Sequence, residues 1–185
     1  MEQRDLQKLL LKAAVCTIAC DGDIHDKELA EMNGMVSQAV YFKDFNGHEL
    51  LCEMLEAVKA SGNIFFHDFL DDLKSSDLSI VQELLVLEVI LRIVYADERF
   101  DPNEEMFLRL VRTHLSLHDE IIVQRFGSVP CLNVSEKEGF SATDFDAGLV
   151  KISSFFDNVM LASGLTADSP KSYSVTEDIE DTSKQ

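Results

Sequence analysis

The sequence predicts an all-α protein, a single bundle of about seven to eight helices in two pseudo-symmetric halves. The first observation behind this is a motif that occurs twice. One copy runs Ala19-Cys20-Asp21-Gly22-Asp23-Ile24-His25-Asp26-Lys27-Glu28, the other Tyr95-Ala96-Asp97-Glu98-Arg99-Phe100-Asp101-Pro102-Asn103-Glu104. Asp97 follows Asp21 by 76 positions, as Phe100 follows Ile24 and Glu104 follows Glu28. The second observation is context: an apolar run precedes each copy (Leu9 to Ile18, Leu84 to Val94) and a mixed helical run follows each, from Leu29 and from Met106. Two helix-loop-helix units sharing one offset indicate an internal duplication. The third is composition. A chain of 185 residues that is 46% hydrophobic, with three prolines and no tryptophan, suits one good core and short connections.

The first helix spans about Gln3 to Cys20, its apolar face built from Leu6, Leu9, Leu10, Ala13 and Ile18. A second, from Asp26 to about Phe42, places Leu29, Met32, Met35, Val36, Ala39 and Val40 on one side, and Asn46-Gly47 breaks the pattern. A third runs from His48 to about Ala60 and ends at Ser61-Gly62; a short Phe-rich fourth covers Ile64 to Lys74. Asp77 or Ser79 can cap a long apolar fifth helix that reaches Tyr95 or Ala96. The sixth has a clear start, with Asp101 at N-cap, Pro102 at N1 and Glu104 at N3, and ends near Leu115. Ser116 is placed to cap a seventh, Leu117 to Phe126, which Gly127 stops.

The duplicated unit therefore covers residues 1–127. Residues 128–142 read as a loop, and 143–164 as an amphipathic helix with Phe145, Leu149, Ile152, Phe156 and Val159 along one stripe. A bare stripe of that length invites association. It either folds back onto the bundle or binds a second copy or another protein. Residues 165–185 are rich in Ser, Thr and acidic groups and are expected to be a disordered tail.

Net charge is −18, from 34 acidic and 16 basic residues, which argues against nucleic acid and against an anionic membrane surface. Basic protein surfaces and cations remain as partners. The most apolar stretch, Leu78 to Ala96, contains Glu83, Glu88 and Arg92 and is too polar to insert in a bilayer. Four cysteines make no dense disulfide framework, and Met1 to Lys8 is no secretory start, so the cytoplasm is the expected compartment. No nucleophile elbow, phosphate loop or zinc-protease motif is present, and an enzyme is not expected.

Asp21 and Asp97 fall at helix C-terminal ends, where a carboxylate faces the negative end of the dipole. A cation shared by the acidic turn would offset this. Capping also accounts for Glu104, which has Asp101 as its partner; Glu28 faces His25, a poor cap, and is less fully explained. Asp21, Gly22, Ile24 and Glu28 fit positions 5, 6, 8 and 12 of an EF-hand loop, yet Thr17 and Ala19 would stand where carboxylates are required. Calcium or another divalent cation would therefore bind only weakly. Cys16 and Cys20 with His25 suggest a thiolate zinc site, but free cysteines are more often buried.

The Asp-Gly-Asp-Ile-x-x-x-Glu run of Asp21 to Glu28, with its weaker echo at Asp97 to Glu104, resembles the TerB-like family of tellurite-resistance proteins. That fold also occurs as the N-terminal domain of a membrane-anchored DnaJ-like co-chaperone. The resemblance covers roughly residues 5 to 127. It implies an all-helical fold with two halves and metal ligation by Asp21, Asp23 and Glu28 in the first half and Asp97 and Glu104 in the second. Glu98 replaces the turn glycine and Arg99 replaces the second aspartate, so the second site is the less complete. The expected function is a non-enzymatic stress-response module acting through protein contacts and divalent-cation binding. The alternative is an acidic adaptor or inhibitor that engages a basic protein surface without metal.

Overall fold

Two helices occupy the centre, α1 (Gln3–Ala19) and α4 (Ile80–Val94), packed directly on each other. They are the first and fourth of seven helices in the computed structural model, which describes residues 1–96, 101–129, 132, 142–157 and 160–161. Every residue from Leu9 to Ala19 except Lys12 is buried, and so are Val86, Leu87, Val89, Ile90, Leu91, Ile93 and Val94. A helix that is apolar around most of its circumference must be covered on several sides. The cover comes from α2 (Asp26–Gln38), α3 (Gly47–Ser75), α5 (Pro102–Thr113), α6 (Asp119–Phe126) and α7 (Ala142–Phe156). Gln82, at the start of α4, donates to the Met1 carbonyl just ahead of α1 (3.4 Å). At the opposite end, Asp101 and Glu104 at the start of α5 come near enough to Cys20, at the end of α1, to act on its charge, so the two central helices run in the same direction.

The local signals act where the sequence places them. Ser79 caps α4: its Oγ accepts from the Gln82 amide (3.4 Å), and the Ser79 amide donates to Gln82 Oε1 (2.9 Å). Asp101 caps α5, with its Oδ1 accepting from the Asn103 amide at 2.7 Å. The expected third and fourth helices form one run, α3, interrupted where Ser61 leaves helical geometry (φ −159°, ψ 57°).

Three boundaries differ from expectation, each through a tertiary bond. The second helix stops at Gln38 instead of Phe42, and a 3-10 turn covers Val40–Phe42. The buried Gln7 side chain donates to the carbonyls of Tyr41 (2.9 Å) and Lys43 (3.2 Å), and Phe42 drops into the core. Ser116 does not cap the seventh helix. Its amide donates to both oxygens of the buried Glu83 carboxylate (3.0 Å each), Arg112 holds the Leu117 carbonyl and Asp119, and α6 starts at Asp119 behind His118. The last helix ends at Phe156, and a two-residue parallel pairing then joins β1 (Asp23–Ile24) to β2 (Met160–Leu161).

The C-terminal stripe folds back. Helix α7 lies on α3 and α5, with Ile152 and Phe156 buried and Phe145 and Leu149 packed at the core's edge. The Phe156 ring stacks on Phe66 with centroids 4.7 Å apart and planes within 5°. Ile152 and Phe156 therefore belong to the core and not to a partner-binding face; Val159 lies outside the described residues, as does the expected tail, 165–185. Gly62 makes this seat possible, because a Cβ there would overlap the Phe156 carbonyl. Its role is close approach of two backbones, not helix termination.

Phe156→Ala should cost about 3–5 kcal/mol in urea unfolding, and Gly62→Ala about 1–3 kcal/mol through overpacking. Losses below about 0.5 kcal/mol in both, the level of neutral surface changes, would show that α7 is not seated as described.

Candidate functional site

The first acidic turn grows out of the end of α1. Cys20 closes the helix, and the Gly22 amide donates back to the Ala19 carbonyl at 3.1 Å. Gly22 sits at φ +92°, a conformation that side chains disfavour, so glycine is required to reverse the chain. Asp21 Oδ1 accepts from the Asp23 amide (2.9 Å), the side-chain-to-backbone bond typical of an aspartate-led turn. The pleat of β1 then turns Asp23 out to solvent and Ile24 into the core.

Helices α2 and α5 begin in the same way. Glu28 Oε2 accepts from the His25 amide (3.1 Å), and Glu104 Oε2 accepts from the Asp101 amide (2.8 Å). Both glutamates are 6% exposed. The reciprocal cap therefore explains Glu28 as well as Glu104, although His25 is a poor cap by type. These matching bonds are the clearest structural expression of the duplication.

Because α1 and α4 run in one direction, the first acidic turn and the start of α5 lie at the same end, near Cys20. Burial above all pushes the Cys20 thiol well above its ordinary range, and the charges of Asp21, Glu104, Glu28 and Asp101 push it further in that order. Cys16 is raised by burial too, with Lys12 opposing. Both thiols are free and fully buried in the core. Asp21 is raised chiefly by burial, with Asp101 and Asp23 adding; the Asp23 amide and His25, whose Nε2 is 3.9 Å from Asp21 Oδ2, pull the other way.

Asp21, Glu28 and Glu104 thus act electrostatically on one buried position, together with Asp101, which the sequence offers only as a cap. Its place in the repeat is legible, since it stands 76 positions after His25. Asp23 points away from the group, and Asp97 lies outside the described residues. Among the described residues, no three His, Cys, Asp or Glu side chains are placed to hold one metal ion. The expected closure of Asp21, Asp23 and Glu28 on a cation is not present in this geometry. The donor chemistry is nevertheless that of hard carboxylate oxygens, which suits a hard divalent cation.

A family model described as tellurite resistance protein TerB matches residues 9–124. The chain belongs to the TerB family. That match takes in both acidic turns and α2 to α5, and it stops short of α7. No curated protein and no solved structure matches the chain. Among the described residues of this TerB-family chain, no helix is long and apolar enough to cross a membrane.

The charge on Asp21 is held against burial and against its neighbours. A carboxyl raised in the folded state keeps its proton more tightly than in the unfolded chain, so stability falls as pH rises through the carboxylate range and stays lowered above it. Asp21→Asn retains the acceptor for the Asp23 amide and removes the charge. Without divalent cations it should stabilise the fold at pH 7 by up to about 1 kcal/mol, partly screened by solvent. The gap between variant and parent should shrink on acidification through the carboxylate range; a gap that widens contradicts this account.

Proposed function

We propose that this TerB-family chain is a non-enzymatic module of a tellurite-resistance-type stress response, acting in the cytoplasm through protein contacts. Its joined acidic turns take up a divalent cation. The observation that carries the reading is that the carboxylates of Asp21, Glu104, Glu28 and Asp101 all act on one buried position, Cys20. Asp21 and Glu104 would present oxygen ligands, Asp101 would add negative charge, and Glu28 would keep the first turn closed. With few anionic ligands free of capping bonds, affinity should be in the range of about 10⁻⁴–10⁻³ M. The protein-contact half draws support from a shallow groove lined by Leu91, Tyr95, Phe126 and Val129, with Arg92 and Glu31 paired at its rim.

Calcium at about ten times its dissociation constant should stabilise the parent protein by about 1.4 kcal/mol. The increment should vanish in Asp21→Asn and persist in Asp23→Asn, whose side chain faces solvent. A melting temperature indifferent to millimolar calcium and magnesium would remove the cation from this reading.

The second reading, an acidic adaptor working without metal, is favoured by the net charge of −18. It predicts that association with a basic partner weakens steeply between low and physiological salt and is unaffected by chelators.

A further inference from the structure

The family match ends at residue 124, and the C-terminal part of the chain returns to the first acidic turn. Asp23 and Ile24 pair in parallel with Met160 and Leu161. At the end of α7, two adjacent residues have separate tasks. Phe156 is rooted in the core against Phe66, and Phe155 lies against Gly22, where an added Cβ would sit 3.6 Å from the ring's Cδ1. The backbone of the turn that carries Asp21 is therefore flanked on one side by α1 and on the other by a segment more than 130 residues away in sequence. Within the turn itself the local bonds are those from the Gly22 amide to the Ala19 carbonyl and from the Asp23 amide to Asp21, and the C-terminal segment adds the contacts that come from elsewhere in the chain.

We infer that the C-terminal segment, α7 with β2, is a strap that fixes the conformation of the first acidic turn and thereby controls its occupancy by a divalent cation. The occupancy half rests on the cation reading above; the strap itself does not. Coupling of this kind is reciprocal: if docking of the strap raises cation affinity, cation binding tightens the strap by the same factor. A partner that captures the C-terminal segment would empty the turn.

The experiment is amide hydrogen exchange on the full-length protein and on full-length Met160→Pro/Leu161→Pro, in which β2 has no amide donors. Without metal, residues 22–25 of the variant should exchange about tenfold faster or more, while α4 from Val86 to Ile93 stays protected and shows the bundle intact. Equal exchange at residues 22–25 overturns the strap. Calcium titration of the same two proteins then reads the coupling, with affinity expected several-fold weaker in the variant. Equal affinity overturns the control of occupancy. Absence of binding to the parent protein overturns the cation reading and with it the regulatory half, and exchange alone then decides the strap.

Discussion

The same-direction packing of α1 against α4 is the constraint on which the rest of the molecule depends. Both helices are buried over most of their surface, so neither can lie at the edge of the bundle. Two such helices joined by the α2–α3 excursion return in parallel, and each must then reverse at the same end of the protein. The remaining helices are a cover for that pair. Their amphipathic faces, and the interhelical pairs Arg92–Glu31, Arg125–Glu88 and Lys12–Asp72, belong to the boundary between cover and solvent.

Parallel packing has an electrostatic consequence. Two helix C-termini and the first acidic turn share one end, where negative partial charges accumulate. Part of this is answered locally, because α2 and α5 start there and their backbone amides receive Glu28 and Glu104. Asp21 is left in a less favourable place, half-buried and within reach of the Asp101 charge. Structural duty and functional capacity overlap in these carboxylates. The same glutamates that close the caps stand in both copies of the repeated acidic motif.

The segment beyond residue 124 changes the character of the domain. Helix α7 completes the core by inserting Ile152 and Phe156, and Gly62 admits the Phe156 backbone to the middle of α3. The adjacent β2 then reaches the first turn. The pairing β1–β2 thus brings a distant part of the chain to the first turn.

The amino-acid sequence by itself determined the helical class, the 76-residue repeat, the caps at Ser79 and Asp101, and the acidic character of both turns. These depend on side chains within four residues of one another, so periodicity and spacing express them. Tertiary structure alone decided what depends on distant partners. Gln7 ends α2 early by binding the Tyr41 and Lys43 carbonyls, and Glu83 draws Ser116 away from the cap of α6. The meeting of Asp21 with Asp101 and Glu104 comes from helix direction, and the removal of Asp23 from that group comes from the pleat of β1 pairing with β2. No local pattern encodes such contacts, because each is selected by the burial of apolar surface elsewhere in the bundle.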